Sequence, residues 1–134
     1  MAKRRSEPKW LSRVVVDAIH HDQLREHGGL TGIRDENVLE SALARPKQKW
    51  HYAADGADVQ ALAAAYAFGL IKNHPYRDGN KRIGFMAMVT FLELNGYELS
   101  ATDADVVAEI LALAEGSTSE ESLAAWTRQH SSRA

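Results

Sequence analysis

Apolar residues recur at every third or fourth position along most of the chain, and the breaks between those runs mark out six helical segments. Ser12 caps a first helix to about Glu26 that turns Val15, Val16, Ile19 and Leu24 inward. Gly28, Gly29 and Gly32 then supply a loop. Asp35 caps a short second helix through Ala44, which stops near Pro46 because the residue before a proline is driven out of helical geometry. Residues 46–58 lose the helical period. Trp50 and Tyr52 fall on one side of a period-2 pattern and Asp55-Gly56 is a turn pair, so a small β-hairpin is predicted there. Asp58 caps a third helix running through Leu62, Tyr66 and Leu70 to Lys72. The fourth runs from Asn80 to Leu94 and closes at Asn95-Gly96. It carries no charge between Ile83 and Val89, which predicts burial on most faces and a central place in the fold. Asp103 starts a fifth helix that ends at Gly116, and Thr118 with Glu121 resembles a capping box for a sixth through Trp126. The expectation is an all-α bundle of six helices with a central buried helix and one small β-hairpin flap.

The break between the third and fourth helices is chemically dense. Within Asn73–Phe85 (NHPYRDGNKRIGF) stand an imidazole, a carboxylate, two amides and three cations, between two apolar helices. Pro75 pushes His74 out of the helix, Asp78-Gly79 is a turn, and Asn80 is a favoured N-cap. The loop is therefore the mouth of a helix N-terminus, where unpaired N–H groups and the positive dipole end favour an anion. Lys81 and Arg82 lie in the first turn, the wrong end of a helix for cations unless a polyanion sits there. A nucleotide polyphosphate fits that requirement. Asp78 is then placed to hold Mg²⁺, and His74 is a candidate general base for a hydroxyl attacking phosphorus. Taken singly, each of these residues is ordinary for a turn or a surface; the conjunction carries the reading.

Composition bounds the alternatives. A chain of 134 residues suits one domain, 1–134. Its formal net charge of −2 gives no whole-chain attraction to nucleic acid or an anionic membrane. The absence of cysteine removes disulfides and thiolate chemistry and suits a reducing compartment such as the cytoplasm. No apolar run is long enough for a membrane span, and residues 1–10, basic through Lys3, Arg4, Arg5 and Lys9, have no apolar core of a secretory signal; they are expected to form a flexible tail.

His74-Pro75-Tyr76-Arg77-Asp78-Gly79-Asn80-Lys81-Arg82 resembles the signature loop of the Fic/Doc superfamily, and the Lys after the Asn points to its death-on-curing (Doc) branch. The stretch GGLTGIRDENVLESALARP, Gly28 to Pro46, resembles that branch as well, and the likeness extends from about Leu11 to Trp126. The resemblance implies an all-helical toxin of a toxin–antitoxin pair, with a cognate antitoxin as partner. It implies transfer of the γ-phosphate of ATP to a threonine of elongation factor Tu, which stops translation. His74 would activate the target hydroxyl. Asp78 would hold Mg²⁺ or orient the His. Gly79, Asn80, Lys81 and Arg82 would bind the phosphates, and the 46–58 segment, with Lys49, Trp50, His51 and Tyr52, would be the flap on which the target docks.

Three departures bear on this. Tyr76 stands where the family usually has Phe, and needs a partner for its hydroxyl. Lys81 and Phe85 stand where AMP-transferring relatives have Gly and Arg, which disfavours AMP transfer, the enzymatic alternative. Ser117–Ser122 (STSEES) comes close to the inhibitory Ser-x-x-x-Glu-Gly/Asn pattern of some relatives, but helix capping accounts for it better. A non-catalytic docking protein of the same fold is a further alternative.

Elsewhere, His20 and His21 point about 100° apart on a helix and do not chelate as an i, i+4 pair would; His20 shares a face with Val16 and Leu24 and is expected to be buried and hydrogen-bonded. Lys47–Tyr52 mixes cations with aromatics, which suits a protein partner better than stacked RNA in a chain with no other basic patch.

Overall fold

A computed structural model describes residues 5–134. Its elements are α1 (Arg13–His27), α2 (Glu36–Tyr52), α3 (Val59–Asn73), α4 (Asn80–Leu94), β1 (Tyr97–Leu99), α5 (Asp103–Glu115), α6 (Glu120–Gln129) and β2 (Ser131–Arg133). The all-α expectation holds. The small sheet, however, is the antiparallel pair of β1 and β2, in the register Tyr97↔Arg133 and Leu99↔Ser131, rather than a hairpin within 46–58. Among the described residues no helix is long and apolar enough to cross a membrane.

The central helix is α3, not α4. Eleven α3 residues are buried against seven of α4. Five of the eleven are alanines (61, 63, 64, 65 and 67), so neighbouring helices approach closely on several sides. A Cβ on Gly69 would lie 3.3 Å from the Ala42 backbone of α2, and one on Gly84 of α4 would lie 2.5 Å from Ile71 and 3.3 Å from the Ala67 carbonyl. Tyr66, fully buried, satisfies its hydroxyl by accepting the Leu11 N–H at 3.1 Å, and burial pushes its pKa up to about 12.

The caps Ser12, Asp35 and Asp58 act as predicted, each accepting an N–H three residues on. On α6 the cap is Ser119, which accepts from Ser122, rather than Thr118. Val15 faces solvent, while Val16 and His20 are buried.

The second helix runs through Pro46. Proline costs a helical hydrogen bond, but tertiary contacts outweigh the local preference: Leu39, Leu43, Pro46 and Trp50 are all buried. Arg45 and Lys49 both pair with the buried Glu120 of α6, Lys49 at 2.6 Å. Lys3 and Arg4 lie outside the described residues. Arg5 and Lys9 do not belong to a loose tail: Arg5 donates to the carbonyls of Asp55 and Gly56, the Lys9 backbone exchanges two hydrogen bonds with Asn95, and Trp10 stacks on Phe91.

The Gly84 contact yields a prediction. Gly84→Ala overpacks the α3–α4 interface and destabilises the fold by about 1–3 kcal/mol, to be read as a lower midpoint in urea with an unchanged slope.

Candidate functional site

The C-terminus of α3 and the N-terminus of α4 meet at one end of the bundle, and residues 74–79 join them. Buried and exposed positions alternate there with a purpose. Pro75, Tyr76 and Asn80 are buried, while His74, Arg77, Asp78, Lys81 and Arg82 are exposed. His74 and residues 77–82 line a single pocket of about 350 Å³, so every site residue predicted from the loop, His74, Asp78, Gly79, Asn80, Lys81 and Arg82, is brought together.

The anchor is Tyr76. Its ring is 1% exposed, and its hydroxyl donates to Asp17 Oδ1 at 3.2 Å, the partner that a Tyr in place of Phe requires. Burial and the neighbouring carboxylate push its ionisation far up. Asn80 closes the loop. Its Oδ1 accepts the Tyr76 N–H and its Nδ2 donates to the Tyr76 carbonyl, both at 3.0 Å. That corrects two expectations. Asn80 is the first residue of α4 rather than its cap, which is Gly79 at φ +78°, and its side chain is committed to the loop. Asn80 therefore faces an anion chiefly with its backbone N–H, its side-chain amide being bonded to Tyr76 through both Oδ1 and Nδ2. The first helical bond of α4 is from Ile83 to the Gly79 carbonyl, so the N–H groups of Asn80, Lys81 and Arg82 stay open at a helix end that no side chain caps.

A second segment, 28–35, holds this loop from outside. Ile33 and Tyr76 form an antiparallel bridge, the Arg77 N–H donates to Gly32, and the N–H groups of Arg34 and Asp35 both donate to the Pro75 carbonyl. The Leu30 N–H donates to Asp78 Oδ2 at 3.1 Å and the Gly79 N–H to Oδ1 at 2.9 Å. These bonds, Leu30 foremost, hold the Asp78 carboxyl below the usual carboxylate range, with Arg82 adding to the effect. Gly29 makes the approach feasible: at φ +122° a Cβ there would lie 2.8 Å from Asp78 Oδ2. From α1, His20 stacks on Tyr76 at 3.7 Å and its Nε2–H donates to the Asp78 carbonyl at 3.2 Å. Its burial, predicted from the sequence, lowers its pKa.

His74 caps α3 in the left-handed region, φ +49° and ψ +58°, and is the one non-glycine with positive φ among the described residues. That conformation costs on the order of 1–2 kcal/mol. The Arg34 guanidinium offsets it by donating to the His74 carbonyl at 2.6 Å and the Asn73 carbonyl at 2.8 Å. Arg34, Leu30, Gly29 and His20 were not named as site residues from sequence. The signal was the GGLTGIRD stretch, whose glycines were legible as a loop but whose partner was not.

The donor set fits Mg²⁺ only in company. No group of three His, Cys, Asp or Glu among the described residues could hold a metal alone. Asp78 is ionised and each of its oxygens keeps a lone pair beyond its one N–H partner, so it suits a cation that phosphate oxygens also bind.

The predicted docking residues Lys49, Trp50, His51 and Tyr52 are elsewhere. They form the last turn of α2, whose first turn is the one beside Pro75. At about 1.5 Å per residue, the helix carries them roughly 20–25 Å along its axis from the end beside the loop. Lys49 is paired with Glu120 and Trp50 is 7% exposed; Tyr52, 89% exposed, is open to a partner.

The Fic/DOC family model matches residues 10–92. The chain is 42% identical over 80 residues to a protein named Toxin Doc from Mycolicibacterium smegmatis, covering 59% of this chain and 60% of that one. It is 27% identical over 82 residues to one named Protein kinase doc from Escherichia phage P1, covering 61% and 64%. The match thus spans less than two thirds of either relative's length.

The depressed Asp78 ionisation has a pH consequence. A carboxyl with a lowered folded pKa keeps its stabilising contacts above its ordinary value of 3.8 and loses them only as pH falls through the folded value. The Asp78 carboxyl resonance in an NMR titration is therefore expected to move below pH 3.8, and Gly29→Ala, which forces the 28–35 segment away, to shift its midpoint upward.

Proposed function

The chain belongs to the Fic/DOC family, and on that premise we propose that it is a Doc-type toxin, a protein phosphotransferase that modifies a hydroxyl of a translation factor. One observation carries the reading: an uncapped helix N-terminus with Lys81 and Arg82 in its first turn shares a single pocket with His74 and Asp78. The donor is ATP and the target is a threonine of elongation factor Tu; the setting is the cytoplasm, with a cognate antitoxin as the restraining partner. The relatives' names, one a toxin and the other a protein kinase, support the toxin and kinase parts of this reading.

Each residue then has a task. The backbone N–H groups at residues 80–82, with the Lys81 and Arg82 side chains, bind the phosphates. Asp78 holds Mg²⁺, which when bound neutralises phosphate charge. His74 takes the proton of the target hydroxyl as its oxygen bonds to the γ-phosphorus and the bond from that phosphorus to the bridging oxygen breaks, leaving ADP. Transfer of AMP is the second reading. It is disfavoured by Lys81, which adds a cation beside the terminal phosphates, and by Phe85, which leaves one arginine where two would clamp them.

The test is a transfer assay with Mg²⁺, elongation factor Tu and ATP labelled at either the γ- or the α-phosphate. Label is expected from γ-ATP alone and to vanish in His74→Ala. Label from α-ATP would replace phosphoryl with AMP transfer. Undiminished transfer by His74→Ala would remove the catalytic role of the imidazole. By calorimetry, Arg82→Ala is expected to weaken ATP binding by roughly tenfold, the loss of one charge-assisted phosphate contact.

A further inference from the structure

The backbone on both sides of the His74 Cα is hydrogen-bonded by a residue outside the loop that carries it. Arg34, some 40 residues earlier, donates from Nε to the His74 carbonyl and from Nη2 to the Asn73 carbonyl. These two carbonyls belong to the peptide planes on either side of the His74 Cα. The rotation of the first plane about that atom is φ and of the second is ψ. One rigid, planar guanidinium that grips both planes therefore fixes both angles at once. The Arg34 backbone is itself tied to the next carbonyl, that of Pro75, at 2.8 Å. A single residue thus holds three consecutive carbonyls around the one left-handed non-glycine position among the described residues.

We propose that Arg34 is the positioning residue of this site: it locks His74 in the left-handed turn that sets its imidazole in the phosphate pocket. The proposal rests on the reading of His74 as general base. A plain electrostatic role at the α3 C-terminus would ask only for a positive charge, which lysine also supplies. The fork asks for two coplanar donors, which lysine lacks.

Arg34→Lys and Arg34→Ala therefore decide it. In ¹³C,¹⁵N-labelled protein, backbone shifts and the amide–Hα coupling of His74 report its φ without any substrate. Both variants are expected to release His74 from positive φ. In the transfer assay on elongation factor Tu, both are expected to lower kcat roughly 10- to 100-fold, with the KM for ATP within about twofold and thermal melts still cooperative. A lysine variant with wild-type turnover and wild-type His74 φ would overturn the proposal in favour of charge alone. Full activity in both Arg34 variants beside an inactive His74→Ala would overturn it while leaving the base reading standing. Full activity in His74→Ala would instead sink the base reading, and with it any catalytic meaning of the Arg34 hold. If elongation factor Tu accepts no label from the wild type, the NMR arm still decides whether Arg34 sets the turn.

Discussion

The Pro75 carbonyl is the point on which the α3–α4 end of the molecule turns. It accepts two N–H groups, from Arg34 and Asp35, and so fastens the start of α2 to the end of α3. Proline suits the position because it brings no N–H of its own to satisfy, and its ring is buried. From that fixed point the chain alternates by necessity. Tyr76 must go inward, because its ring stacks on His20 and its hydroxyl meets Asp17. Arg77, Asp78, Lys81 and Arg82 must go outward, because the inward places are taken. The charged groups are thus held on a loop whose backbone is pinned from α1, from the 28–35 segment and from its own Asn80.

Rigidity at that end comes from the thinness of α3. Its alanines and Gly69 let α2 sit almost on its backbone, and Gly84 lets α4 do the same from another side. Helices packed so closely have little room to slide, since a shift of even one methyl group is felt in an interior at crystal-like density. The exposed charges therefore stand on a frame that does not need a ligand to assemble it. Among the described helices α4 alone has no side chain capping its N-terminus, and Lys81 and Arg82 add positive charge to that end. A structural helix would place carboxylates there.

Much of this was legible in the sequence, and the parts that were not share a cause. Ser12, Asp35 and Asp58 could be read as caps because a cap bonds to its own helix three residues on. Asn80 could not be read correctly, since its amide was free to choose between the helix end and Tyr76, and the choice depends on Tyr76 being buried. Pro46 looked like a stop because proline is locally unfavourable; the contacts that override it, Trp50 in the core and Arg45 with Lys49 on Glu120, come from over 70 residues away or from the packed interior. The expectation of a flap beside the loop failed with that one error, for a helix that continues carries its last turn to the far end. Arg34 was invisible for the same reason, its partners lying 39 and 40 residues ahead. Local chemistry could be read from local sequence; residues that act across the fold could not.

The charge of the pocket runs against that of the chain. The whole protein is net negative, yet the loop sets three fixed cations, Arg77, Lys81 and Arg82, around the one carboxylate of Asp78. At physiological ionic strength such a field reaches only about 8 Å. A compact polyphosphate fits inside that range and meets the open N–H groups with it. A nucleic-acid backbone extends well beyond it, along a chain whose formal net charge is −2. On the proposed reading, a compact polyphosphate is therefore the ligand that those cations would hold. On the same reading, the ionised Asp78 carboxylate has its use in a divalent metal that would arrive with the phosphates.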